Sequence, residues 1–281
     1  MYKTKLCLGV NTQFGLPVAE QIKLFKKTGF EAFFTDWYEN MADYKKLADE
    51  LGMIYQSVHA PFMNAAKMWK EDEGGAKAAV YELLTCVRDC AEIGVPILIV
   101  HPYIGFDNSG ESIERGIERF GAIVQEAQKL NVNIAFENVE GEFYLEKLMD
   151  SFKNYSNVGF CWDSGHEQCY NRGKDMLALY GDRVIALHLN DNLGVRSYDG
   201  KITPTDDLHL LPGDGIINWN SAMSRLNRCG YDGILTFELN TESKPGRHEN
   251  NKYGQIPIEQ YIAECYARAC KIAAIKSERM Q

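Results

Sequence analysis

Short β-rich runs alternate with helical periods from one end of the chain to the other, and no other feature constrains the fold as strongly. The runs cover residues 5–10, 30–35, 54–59, 97–101, 133–138, 158–163, 184–189 and 234–239. Several are apolar on both faces, the pattern of strands covered on both sides. Between them lie helical faces: Ile113, Ile117, Phe120, Ile123, Val124, Ala127 and Leu130 recur at spacings of three and four. Gly29, Gly52 and Gly94 each stand where a helix would end just before a strand. Strands that alternate with helices predict a parallel sheet. A length of 281 residues suits its closure into a single (β/α)8 TIM barrel over residues 1–281. A doubly wound open sheet would want a glycine-rich phosphate loop after the first strand. Gly9-Val-Asn-Thr-Gln-Phe-Gly15 lacks that spacing.

Composition narrows the function. The net charge of −9 argues against a protein that coats itself with nucleic acid along a basic face. The longest apolar stretches, such as residues 95–100, are too short to span a bilayer. Lys3 and Lys5 precede an apolar run that stops at Val10, short for a secretory signal, so the run reads as the first strand. The eight cysteines form no C-x-x-C pair and read as reduced core thiols, which makes the cytoplasm the expected compartment.

Five of the six histidines fall at strand ends or just beyond them. His59, His101 and His188 end strands three, four and seven; His166 follows strand six; His209 lies in the long irregular stretch of residues 190–215. Glu137, Asp163 and Glu238 end strands five, six and eight. The strand C-termini of a parallel barrel meet at one rim, where active sites are built. Carboxylates gathered there repel one another unless a cation compensates them, so a metal site is expected. Glu137, Asp163, His188 and Glu238 suit one Mn²⁺, Mg²⁺, Co²⁺ or Zn²⁺. His59 and His101, beside Glu137, suit a second ion, and His166, Asp207 and His209 a third. The alternative gives the extra histidines to substrate hydroxyls around a single ion.

These residues resemble the xylose isomerase-like barrel superfamily, which holds sugar isomerases and epimerases together with endonuclease IV-type AP endonucleases. The resemblance runs from strand three to strand eight. It implies a single-metal site of Glu137, Asp163, His188 and Glu238 on the epimerase pattern. On the endonuclease pattern it implies a trinuclear zinc site that adds His59, His101, His166, Asp207 and His209. Asp163-Ser-Gly-His166 and Asp207-Leu-His209, followed by Pro-Gly-Asp-Gly, are the strongest matches. The chain departs from the endonuclease branch in having Phe62 where a tyrosine is expected. It also carries an acidic Asp36-Trp-Tyr-Glu-Asn40 where that branch has an arginine-bearing loop.

Three functions are weighed. The first is a divalent-metal-dependent isomerase or epimerase of a sugar or sugar phosphate, working through a metal-stabilised enediolate with Zn²⁺ or Mn²⁺, one to three ions per chain. Glu137 and Glu238 would relay the proton, with His166, Arg196, Trp162 and Phe62 around the substrate. The second is a zinc phosphodiesterase acting on abasic DNA. The rim segments Ile104-Gly-Phe-Asp-Asn and Glu140-Gly-Glu are poor in cations, which favours a small substrate over nucleic acid. The third is a barrel that binds metal and sugar without catalysis. No membrane partner is expected. A homodimer is compatible with the aromatics Tyr261 and Tyr266.

Overall fold

A computed structural model describes residues 4–38, 40–106 and 111–278. Eight strands form one parallel sheet: β1 (Leu6–Gly9), β2 (Ala32–Asp36), β3 (Ile54–His59), β4 (Ile97–Val100), β5 (Asn133–Glu137), β6 (Val158–Asp163), β7 (Val184–His188) and β8 (Leu235–Phe237). Their order is β7-β6-β5-β4-β3-β2-β1-β8. A parallel bridge from Leu189 to Phe237, with Leu189 N–H donating to Thr236 at 2.8 Å, brings the two ends of the sheet together. The result is a single, nearly closed (β/α)8 barrel. The helices are α1 (Val18–Thr28), α2 (Met41–Leu51), α3 (Glu73–Ile93), α4 (Ile113–Lys129), α5 (Glu142–Ser151), α6 (Ser164–Cys169), α7 (Met176–Tyr180), α8 (Trp219–Arg228) and α9 (Ile258–Glu278). None is long and apolar enough to cross a membrane.

The strands lie where the β-rich runs predict: β3 and β6 match their runs, β2 ends one residue beyond its run, and the others are one to three residues shorter. β4 stops at Val100 and β8 at Phe237, so His101 and Glu238 stand one residue past their strands. The α4 face buries Phe120, Ile123, Val124 and Ala127 as its periodicity demands. Gly52 and Gly94 cap α2 and α3 with φ of 60° and 73°, a left-handed backbone that costs glycine little.

The barrel interior is what builds the site. Successive side chains of a strand alternate between the helical layer and the lumen. Ile99, Ala135, Cys161 and Ala186 fill one lumen layer. Two residues further along the same strands come His101, Glu137, Asp163 and His188, which therefore point into the same lumen at its C-terminal mouth. Phe34 completes the floor: its ring stacks on His188, centroids 4.9 Å apart. Gly9 leaves room for that ring, since a Cβ there would lie 2.5 Å from it. All eight cysteines are free. Tyr261 is fully buried and donates to the Asn240 carbonyl, and Tyr266 packs edge-on against Phe30. Both aromatics pack within the chain.

Candidate metal centre

The nine expected donors come together at the mouth. They divide into three groups whose donor atoms lie within 4.8 Å of one another: His59, His101 and Glu137; Glu137, Asp163, His188 and Glu238; and His166, Asp207 and His209. Cys161, which the sequence assigns to the core, also lies close to Glu137 and His188.

In the first group, His59 Nε2 faces His101 Nε2 at 3.1 Å, and Glu137 Oε2 stands 3.4 Å from each. Two donors about 2.0–2.1 Å from a tetrahedral ion are about 3.3 Å apart, so this triangle has the dimensions of one face of a zinc site. In the second group, His188 Nδ1 lies 3.0 Å from Glu137 Oε1 and 3.2 Å from Glu238 Oε2. In the third, His166 Nε2 is 3.4 Å from Asp207 Oδ1, and His209 Nε2 is 3.0 Å from Asp207 Oδ2. Glu137 Oε2 and Asp207 Oδ1 are buried carboxylate oxygens that make no well-formed hydrogen bond and are faced only by imidazole nitrogens at 3.4 Å. Orphaned acceptors of this kind are costly unless a cation meets them, and the donor set fits divalent ions.

Electrostatics bear the same mark. Burial acts to raise the Glu137 carboxyl, yet His188 and hydrogen bonds from His101, His166 and His188 hold it well below its usual range. Burial likewise works against charge on Asp207, and His209 and His166 pull it well down. Burial disfavours the His188 imidazolium, but Glu137 and Glu238 raise it to about 9. His209 rises to about 9 against its burial, through Asp207 and Glu238. His166 is held well above its usual value by Asp163 and Asp207 in spite of burial. Asp163 moves the other way, pushed up to about 6 by burial, with His166 opposing. Without an ion, imidazolium protons supply the positive charge that the carboxylates require.

Local structure fixes each donor. Asp163 caps α6, its Oδ1 accepting from the His166 N–H at 2.6 Å, while Oδ2 accepts from Asn190 Nδ2 at 2.9 Å. His166 Nδ1 lies 3.0 Å from the Asn138 carbonyl. The long loop between β7 and β8 is held by two buried carboxylates. Asp191 accepts from the Gly213 and Ile217 N–H groups and from Trp219 Nε1, at 2.7, 3.1 and 2.9 Å. Asp206 accepts from the Arg196 and Thr203 N–H groups, at 3.0 and 2.9 Å. Between these anchors the chain turns at His209, whose φ of 48° is left-handed for a residue with a Cβ.

A cavity of about 570 Å³ opens over the cluster, walled by Phe62, Ile104 and Phe106 on one side and by Pro204, Asn240 and Lys244 on the other. Phe62 stacks on His101, centroids 4.8 Å apart. Trp162, expected at the substrate, instead points into the helical layer. It is fully buried, donating to Glu167 at 2.9 Å, because the alternation that sends Asp163 into the lumen sends its neighbour outward. Trp69 is core, packed against Phe120 and Tyr144. Arg196 donates to the Gly246 carbonyl and lines a separate cleft. Glu39, Asp107 and Asn108 of the acidic rim segments lie outside the described residues. Sequence reasoning missed Asn138, Asn190, Asp191 and Lys244. The Leu-Asn-Asp that follows His188 could have pointed to Asn190 and Asp191; nothing local points to Lys244.

A family model described as a xylose isomerase-like TIM barrel matches residues 20–260. Protein y4fM of Sinorhizobium fredii is 32% identical over 195 residues, 64% of this chain and 60% of that protein, so the chain spans less than two thirds of this relative. A probable endonuclease 4 of Mycoplasma capricolum is 25% identical over 213 residues, 68% of each chain. An inosose isomerase of Bacillus velezensis is 22% identical over 258 residues, 84% of this chain and 88% of that one. The crystal structure of an IOLI protein with a bound zinc atom superimposes with a TM-score of 0.74 at 18% identity, covering 96% of this chain and 98% of that one.

Proposed function

The chain belongs to the xylose isomerase-like TIM barrel family, and from that premise we propose that it is a metal-dependent hydrolase of phosphate esters. The observation that carries this reading is the division of nine donors into three groups, two of them sharing Glu137. His59, His101 and Glu137 would hold one divalent ion. Glu137, Asp163, His188 and Glu238 would hold a second, and His166, Asp207 and His209 a third. The imidazole-rich groups favour zinc, and the carboxylate-rich group suits zinc or manganese. Ions bound there would polarise a phosphoryl group and lower the pKa of water. Four carboxylates do not neutralise three divalent ions, so the loaded cavity favours an anionic substrate over a neutral polyol.

The chain's own residues divide the remaining work. The Glu137 side chain is 1% exposed and committed on both oxygens, whereas that of Glu238 is 27% exposed and faces the cavity. We assign Glu238 to proton exchange with the attacking water or the departing alcohol. Water adds to phosphorus, the P–O bond to the alcohol breaks, and the alcohol leaves with a proton. Phe62, over His101, keeps bulk water from the first group. The endonuclease 4 relative supports this chemistry.

A second reading is a sugar isomerase or epimerase using the four-donor group alone, with Glu137 and Glu238 moving the proton. It is supported by the four-donor group and by the inosose isomerase relative. Metal content per chain, followed by assays, separates the two. Near three ions, with release of p-nitrophenol from p-nitrophenyl phosphates or cleavage of an abasic oligonucleotide, supports the hydrolase. One ion, with deuterium exchange at a ketose carbon, overturns it in favour of the isomerase. Full loading with neither activity also overturns it and leaves a binding barrel.

A further inference from the structure

Lys244 stands in the loop after β8 with its ammonium 3.4 Å from Asp207 Oδ2 and its side chain 29% exposed. Among the described residues it is the only lysine or arginine lining the cavity. The neighbouring cations are engaged elsewhere. Arg247 binds Glu249 and Asp206, and Arg196 binds the Gly246 carbonyl in another cleft. Lys244 thus shares its carboxylate with a group assigned to a divalent ion. Asp207 is the anion between that ammonium and the ion, so Lys244 can stay charged beside the loaded group and face the cavity. Across the barrel the loops after β3 and β4 present a different surface. There Phe62 and Phe106 are 37% and 51% exposed and both line the same cavity, giving it an apolar wall opposite Lys244.

We propose that Lys244 binds a non-bridging oxygen of the substrate's phosphate, and that the substrate is a small phosphate ester carrying a flat apolar group that lies against Phe106. This rests on the phosphate-ester reading and names its substrate class. A cavity of about 570 Å³ takes a nucleotide-sized ligand, not a duplex. Among the described residues its single lining lysine or arginine, Lys244, matches one phosphate rather than a polyanion.

The test uses the zinc-loaded full chain and two non-hydrolysable probes, methylphosphonate and phenylphosphonate, titrated by calorimetry. Lys244→Gln should weaken both by about tenfold, the loss of one charge-assisted hydrogen bond, with zinc content unchanged. Lys244→Arg should bind both nearly as the natural protein does. Phe106→Ala should weaken phenylphosphonate alone. A Lys244→Gln protein that binds methylphosphonate normally, or that loses zinc, overturns the role of Lys244. A Phe106→Ala protein that keeps its preference for the phenyl probe overturns the flat group. If the loaded natural protein binds neither phosphonate, the phosphate-ester reading itself fails.

Discussion

Arg247 and Asp206 meet inside the protein, Nη1 to Oδ1 at 3.5 Å, with both side chains under a tenth exposed. The pair joins the loop after β8 to the loop after β7, one residue before Asp207. Arg247 also binds Glu249 at 2.8 Å. A buried cation of this kind adds little by its presence and costs much by its removal, because its partners are left charged and dry.

Arg247→Met should therefore destabilise the protein by about 3 kcal/mol. It should also lower metal content by one ion, that of the His166, Asp207 and His209 group. Urea denaturation and elemental analysis on the same preparation check both. A variant with full metal content would show that the clasp does not set this group.

Glu137 and His209 should differ in kind. Glu137 belongs to two groups and His209 to one. Glu137→Gln should lose two ions per chain and His209→Ala one, each with turnover down by more than about 100-fold. Glu238→Gln should also abolish turnover while the barrel stays folded by circular dichroism. An active Glu238→Gln enzyme would remove Glu238 from the mechanism.

The metal-stripped protein should lose stability as pH rises. His188 and His209 are raised to about 9 by their carboxylate neighbours against their burial. The unfolded value is about 6.5. A raised imidazole stabilises fully below its unfolded value and loses that contribution as pH climbs through the folded one. The fall should therefore run from about pH 6.5 to about pH 9, and Asp163, raised to about 6, adds a fall of the same sign at lower pH. Melting temperatures in chelator at pH 6.5 and 9 check this. Zinc binding at pH 7.5 should release at least two protons per chain, read from calorimetry in buffers of different ionisation enthalpy.

Gly215→Ala should cost about 1–3 kcal/mol. A Cβ there would meet Asp191 Oδ1 at 2.3 Å and the Asn192 backbone at 2.4 Å, so the carboxylate that organises the loop would have to move. Thermal denaturation and turnover should fall together.

The barrel and the nine donors were legible because both follow from short-range rules. Period-two alternation places Glu137 above Ala135 and Asp163 above Cys161, and parallel strands bring their ends to one rim. Applied strictly, the same rule removes Trp162 from the cavity, since it precedes a lumen-facing aspartate. Lys244 and Arg247 lay beyond reach. Their positions depend on how two loops from distant parts of the chain clasp, through backbone N–H groups on Asp191 and Asp206 that leave no local trace in sequence. Arg196 shows the converse, a cation adjacent in sequence that the same loop turns toward a different cleft.

The lumen layer of Ile99, Ala135, Cys161 and Ala186, each at most 1% exposed, closes the barrel directly beneath the donors. Among the described residues this layer forms the floor of the cavity. A ligand over the cluster therefore has no passage downward through the lumen. Under the phosphate-ester reading, inorganic phosphate left over the cluster would compete with the next substrate, which is read as competitive inhibition by added phosphate.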